Sequence, residues 1–191
     1  MSYHSYGQLT FGVKAGANIN TITSSNSNVG ETYKTNVGFH LGVFGQLGLK
    51  KKFFLIPELQ YTQRGATFNG APNSDIKLNL NYLELPILLS YRPIKQINID
   101  FGPSASYKIS SVTIDGSSRV NVDNIYNKKI DFGISMGARF NVSNKFSIIG
   151  RYYYGVVSIA DIIYADVNNN RTKVTYYNRT IQLGLSYRIL N

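Results

Sequence analysis

Few side chains in this chain are able to do chemistry, and their spacing narrows the field further. The sequence contains two histidines, His4 and His40, and neither cysteine nor tryptophan. Hydrolysis or acyl transfer needs a nucleophile beside a base, or a matched acid and base. No serine stands at a diagnostic spacing from either histidine. His4 lies in the opening stretch, and His40 sits between Gly38 and Gly42, which reads as a hydrogen-bonded structural position. Glu58 and Glu84 have the residue types of an acid–base pair, but the many arginines and lysines nearby make ion pairing the better account. A metal centre lacks its ligands, since there is no cysteine, no histidine pair and no acidic calcium-type loop. The glycine pairs Gly12/Gly16 and Gly133/Gly137 precede no helix, so they are not phosphate-binding loops. The expectation is a protein without catalytic residues, cofactor or metal, in other words not an enzyme.

The elements that carry these charges alternate with period two. Leu9, Phe11, Val13, Ala15, Ala17 and Ile19 fall on one face, with Thr10, Gly12, Lys14, Gly16, Asn18 and Asn20 on the other. That is the signature of a strand rather than a helix. The pattern recurs seven times, over segments that start near Val37, Leu55, Tyr82, Ile97, Ile130, Phe146 and Thr180. Connections after even segments are short: Gly48 to Lys52, Arg92 to Gln96 and Ser143 to Lys145. Those after odd segments are long and polar: about Thr21 to Asn36, Gly65 to Lys77, Ile109 to Lys129 and Ser158 to Asn178. Strict short–long alternation belongs to outer-membrane barrels, with tight periplasmic turns and longer external loops. The fold class expected is all-β: an eight-stranded antiparallel up-and-down transmembrane β-barrel of OmpA/OmpX-like size, with short periplasmic turns and long extracellular loops.

The polar face decides which side looks inward. It carries Lys14, Glu58, Arg64, Glu84, Asp100, Asp131, Arg139, Arg151 and Arg188 among many glycines and serines. An eight-stranded barrel has an interior just wide enough for side chains to fill, and enclosed charges must be paired. These nine residues are therefore expected to form an interior charge network. The apolar face ends in aromatic residues, with Phe53, Tyr91, Phe146 and Tyr187 toward the turns and Phe39, Tyr61, Phe132 and Tyr152 toward the loops. Two aromatic girdles around an aliphatic band match a lipid-facing surface. Pro57, Pro86 and Pro103 fall inside these strands, where a missing donor should leave a bulge or a gap in the ladder.

Composition is compatible with that reading. The 191 residues suit one domain, expected over 1–191 with 1–8 a flexible N-terminal segment, and 15 tyrosines suit membrane interfaces. No stretch has the roughly 18–20 apolar residues of a spanning helix. The +10 net charge raises nucleic acid as a partner. However, no tight basic cluster exceeds Lys50-Lys51-Lys52 and no helix presents a basic face, so anionic lipid headgroups are the better match. Nucleic acid is not an expected partner. No signal peptide is visible in Met1 to Tyr6, so a barrel is expected to have had one in its precursor. The aromatic residues of the long connections, Tyr126, Tyr164, Tyr176 and Tyr177, are candidate loop contacts. Two other readings share the alternation: a small-solute channel, and a soluble lipocalin-like ligand binder with the apolar face inside.

Five segments in chain order carry a family resemblance: Phe11-Gly-Val-Lys-Ala-Gly-Ala-Asn18, Phe54-Leu-Ile-Pro-Glu-Leu-Gln-Tyr61, Leu80-Asn-Tyr-Leu-Glu-Leu-Pro-Ile87, Phe101-Gly-Pro-Ser-Ala-Ser106 and Gly150-Arg-Tyr-Tyr-Tyr-Gly155. With them the chain resembles the PorT-like outer-membrane β-barrel family of Bacteroidetes. The last strand, Gln182 to Ile189, looks like the signal that barrel-assembly machinery reads, with Ile189 in place of the usual terminal Phe. The resemblance implies a bacterial outer-membrane location. Its implied partners are outer-membrane lipid, lipopolysaccharide and other envelope or secretion proteins, with an accessory role in envelope assembly or protein secretion.

Overall fold

The computed structural model describes residues 9–25, 33–69, 75–124, 126, 128–165 and 171–190. Among them the chain forms ten strands: β1 (Leu9–Ser24), β2 (Asn36–Lys50), β3 (Phe53–Asn69), β4 (Asp75–Ile94), β5 (Ile97–Asp115), β6 (Ser118–Asn121), β7 (Ile130–Asn141), β8 (Phe146–Gly155), β9 (Ala160–Ala165) and β10 (Arg171–Leu190). Eight of them pair antiparallel with their neighbours in the order β1-β2-β3-β4-β5-β7-β8-β10, and β10 pairs back onto β1. The closing ladder runs from Phe11–Leu190 to Ser24–Tyr176. Closure leaves the ring without a free edge, which a sheet in lipid requires because no water is there to satisfy unpaired backbone groups. Strands β6 and β9 are short hairpin partners of β5 and β10 beyond the ring.

Period-two alternation sets the faces. Along β1, Thr10, Lys14, Asn18 and Asn20 are buried while Leu9, Phe11, Val13 and Ile19 are exposed. The same inversion of the soluble rule holds round the ring, with Leu41 58% and Leu185 62% exposed. Hydrocarbon, not water, is the solvent that satisfies such a surface. Aromatic rings meet at both rims of the band, as Phe53–Tyr91 and Phe146–Tyr187 at the turn end and Phe39–Tyr61 at the other.

Strand β4 shows where the band stops. Its outward residues are Leu83, Leu85, Ile87, Leu89 and Tyr91 over the lower half, then Asn81, Asn79 and Lys77 above. Its inward residues are Glu84, Pro86, Leu88 and Ser90 below, then Tyr82, Leu80 and Leu78. The backbone keeps one inward face throughout, but the residue types on the two faces exchange near Asn81. Below that level the outside is greasy; above it the ordinary soluble rule returns. Strand β10 repeats the exchange, with Ile181, Leu183 and Leu185 outward below and Lys173 and Arg171 outward above Val174 and Tyr176.

In this upper storey the long external connections are themselves largely strand. Strand β3 continues to Asn69 and β4 starts at Asp75, so most of Gly65 to Lys77 is hairpin. Ser158 to Asn178 likewise contains β9 and the start of β10. The reason is an apolar core inside the extension: Ile22, Ala66, Leu78, Leu80, Tyr82, Ile159, Ala160, Val174 and Tyr176 pack together. Burying that set drives the outer segments into strands although their outward residues are polar.

The prolines coincide with gaps rather than bulges. The β2–β3 ladder passes from Phe44–Glu58 to Leu47–Leu55, skipping Pro57. The β3–β4 ladder passes from Pro57–Ile87 to Gln60–Glu84, skipping Pro86. The β4–β5 ladder goes from Pro86–Ser104 to Leu89–Phe101, skipping Pro103, and the register is the same on both sides of each of these three gaps. A proline supplies no N–H to the ladder, so a local gap is the expected consequence.

Candidate functional site

The lumen has three layers, and the middle one holds most of the charge. Glu58 on β3 is the hub of one cluster. Lys14 Nζ on β1 lies 2.5 Å from Glu58 Oε2. Arg151 on β8 forks onto the same carboxylate, Nη1 donating to Oε2 at 2.7 Å and Nη2 to Oε1 at 2.8 Å. Two parallel charge-assisted bonds are the strongest geometry a guanidinium can offer a carboxylate.

Arg64 is the hub of the second cluster. Its Nη2 lies 2.7 Å from Glu84 on β4, an ion pair by proximity rather than a directed hydrogen bond. Its Nη1 donates to Asp131 on β7 and to Ser106, each at 3.2 Å. The guanidinium stacks 3.5 Å from the centroid of the Tyr153 ring, with Tyr82 at 5.2 Å. Neutral residues complete the set: Gln60 and the Ser104 hydroxyl donate to Glu84, and Asn178 donates to Asp131. The middle layer therefore holds three cations (Lys14, Arg64, Arg151) and three carboxylates (Glu58, Glu84, Asp131), all buried. Charge balance at this depth is a condition of stability, because an unmatched buried ion costs several kcal/mol.

Glycines make room for these groups. A Cβ on Gly133 would run into the Tyr153 ring that covers Arg64. Gly16 and Gly184 face each other across the β1–β10 ladder beside the His40 ring, and a Cβ on Gly16 would meet the Leu183 carbonyl. His40 Nδ1 is 2.8 Å from Asn18 Oδ1. That contact orients the imidazole as a structural element and brings no nucleophile to it.

Apolar layers lie on either side. Toward the turns, Phe44, Ile56 and Leu88 pack with Phe54. Toward the outside, the core of the extension carries Leu78, Leu80, Tyr82, Val174 and Tyr176.

The nine charged residues singled out in the sequence thus separate by depth. Six form the middle layer. Asp100 and Arg139 pair with each other at 3.2 Å nearer the turns. Arg188 stands apart at the turn-side mouth and donates to Asn144 O and Asn141 Oδ1 rather than to a carboxylate. Sequence reasoning missed Arg92, which points into the same mouth from the end of β4 and lies 4.2 Å over the Phe54 ring. Its place on the inward period-two face was the only available signal, and proximity to a turn hid it.

The tyrosines singled out as loop contacts need correction. Tyr176 is 3% exposed and belongs to the inner core of the extension, pointing away from solvent. Tyr126 packs partly buried against that core. Tyr177 lies in β10 opposite Thr23 rather than in a loop, and is half-buried. Tyr164 pairs with Thr172 in the β9–β10 hairpin, and its side chain lies outside the described residues. The outward positions of the upper storey are held instead by Lys77, Lys173 and Arg179, the last stacked 3.7 Å over the Tyr154 ring.

Comparison with known proteins gives the same architecture. A family model described as "Outer membrane protein beta-barrel domain" matches residues 4–161. A search of curated proteins finds no match. Among solved structures, Ail of Yersinia pestis, in complex with the heparin analogue sucrose octasulfate, is 16% identical over 96% of this chain and 99% of its own, with a TM-score of 0.54. Neisserial surface protein A (NspA) is 17% identical over 95% and 97%, with a TM-score of 0.55. OprG of Pseudomonas aeruginosa is 15% identical over 97% and 98%, also with a TM-score of 0.55. At such identity the likeness is one of fold.

Proposed function

Because the chain belongs to the outer membrane protein β-barrel domain family and sits in the bacterial outer membrane, we propose that it is a sealed, non-enzymatic barrel that works through its surfaces. The observation that carries this reading is the filling of the lumen. Two ion-paired clusters cross it from β1, β3, β4, β7 and β8, between an apolar layer at Phe44, Ile56 and Leu88 and another at Leu78, Leu80 and Tyr82. A hydrated ion or small polar solute would have to part both apolar layers and displace buried salt bridges, each costing several kcal/mol to break.

The surfaces left to act are the outer rim and the turn-side mouth. Outward Lys77, Lys173 and Arg179 stand just above the lipid band, where cations favour phosphate and other anionic headgroups by roughly 1 kcal/mol each. Lipopolysaccharide is the partner of that chemistry. The complex of Ail with the heparin analogue sucrose octasulfate is an analogy for binding of an anionic glycan by a barrel of this fold. The PorT-like resemblance supports a role as an accessory in envelope assembly or protein secretion, with other envelope proteins as partners. The test is conductance in planar bilayers together with a cavity variant. The parent is expected to show no discrete channel steps, whereas R64A/Y153A, which empties the central stack, is expected to leak. Steady unitary conductance in the parent would replace this reading with that of a small-solute channel.

A further inference from the structure

The chain's +10 charge is not spread evenly along the barrel axis. At the periplasmic end stand Lys50, Lys51, Lys52, Arg92, Lys95, Arg139, Lys145 and Arg188, eight cations, against Asp100 as the one carboxylate among the described residues there. That end therefore carries +7 of the net charge, and the middle layer is neutral.

Three of the eight are not surface lysines. Arg92, Arg139 and Arg188 lie on inward faces of β4, β7 and β10, and neutral asparagines link two of them. Arg188 Nη2 donates to Asn141 Oδ1 at 2.8 Å, Asn141 Nδ2 donates to Asn98 Oδ1 at 2.9 Å, and Arg92 Nε donates to that same Oδ1 at 3.3 Å. Arg139 is 4% exposed, and of the three it alone has a carboxylate, Asp100. Even so, Arg139 Nε and Arg92 Nη2 are buried and make no hydrogen bond among the described residues. Unused donors on buried guanidiniums are costly, and natural structures leave few of them. The floor is apolar: Arg92 lies over Phe54, and Arg139 is 6.0 Å from the Phe44 ring.

We propose that this mouth is a docking site for an acidic segment of a periplasmic protein, whose carboxylates pair with the half-buried guanidiniums of Arg92 and Arg188 and with the turn lysines around them. The inference rests on the barrel orientation of the proposed function and adds a partner class to it. Guanidinium forks match carboxylates in shape and charge. The ring of turn lysines raises the local concentration of anions before contact. Phospholipid headgroups fit less well, because these arginines face the lumen whereas the neighbouring lipid-facing positions are Tyr91, Ile99, Phe140 and Ile189.

The full chain refolded in detergent and in nanodiscs tests this with a fluorescent penta-glutamate peptide, read by anisotropy. Each sample is first checked for the heat-dependent gel mobility of a closed barrel, so that failure of the barrel reading shows itself separately. The folded parent is expected to bind penta-glutamate and not penta-glutamine. R92Q/R188Q, at half-buried positions outside the middle layer, is expected to weaken binding at least tenfold, and K77Q/K173Q on the opposite rim to leave it unchanged. Equal binding by the parent and R92Q/R188Q overturns the proposal. So does loss of peptide binding in nanodiscs of anionic phospholipid, which would make lipid the occupant.

Discussion

Replacing Glu58 with glutamine removes one negative charge from a place where two cations share it. In the parent, Lys14 Nζ is 2.5 Å from Oε2, and Arg151 forks onto both oxygens at 2.7 and 2.8 Å. The glutamine carbonyl can still accept one bond from Arg151, but its amide group turns N–H toward a cation. Breaking one buried pair costs about 3–5 kcal/mol. Two pairs break here, yet the losses do not simply add. Lys14 can shed its proton, whereas the Arg151 guanidinium cannot. A net loss of about 4 kcal/mol follows, roughly a thousandfold in the folding equilibrium constant. Urea unfolding in detergent micelles, followed by tyrosine emission and by heat-shifted gel mobility, measures it. The double variant E58Q/R151M leaves only Lys14, so it is expected to recover at least half of the loss, the non-additivity that coupled neighbours show. The reasoning fails if E58Q unfolds within about 1 kcal/mol of the parent, or if R151M adds a further full penalty to it.

Three other outcomes follow from the same geometry. Leu183→Arg, at an outward position of β10 that is 52% exposed, should cost about 2–4 kcal/mol in a bilayer, while Thr175→Arg above the band should be neutral; unfolding in lipid vesicles compares them. Gly133→Ala drives a methyl into the Tyr153 ring and should destabilise by about 1–3 kcal/mol, seen as a lower urea midpoint. Outside the membrane, hydrogen bonding from Lys128, backed by Lys173, holds the Asp161 carboxyl down at about 2. Because that value is depressed, the contribution is present above about pH 4 and is lost as pH falls toward 2; hydrogen exchange of the β9–β10 hairpin should rise over that window and not in Asp161→Asn.

Much of the barrel is legible in the sequence because period-two alternation is insensitive to which solvent each face meets. The eight segments and their short turns are found where the alternation puts them, and the charged face is the inward one. The upper storey was not legible, since the greasy residues change sides near Asn81. Leu78 and Leu80 stay on the inward face of β4, but beside Lys77, Asn79 and Asn81 the segment has the composition of a loop. The interior partners were only half legible. Carboxylates and guanidiniums announce a need for counter-charge, whereas Gln60, Ser104 and Asn178, which complete their bonding, look like any polar residue. Strand register, which places Arg188 beside Asn141 and away from Glu58, is not written in any one strand.

The absence of cysteine from these 191 residues allows one spin label at a time to be walked along β4. Labels at Leu83, Leu85, Ile87 and Leu89 in bilayers should be relaxed strongly by oxygen and weakly by a water-soluble nickel chelate. Labels at Asn79 and Lys77 should show the reverse, with the crossover near Asn81. Equal nickel access at Leu85 and Lys77 would mean that water, not lipid, bathes the apolar face, and would contradict the account.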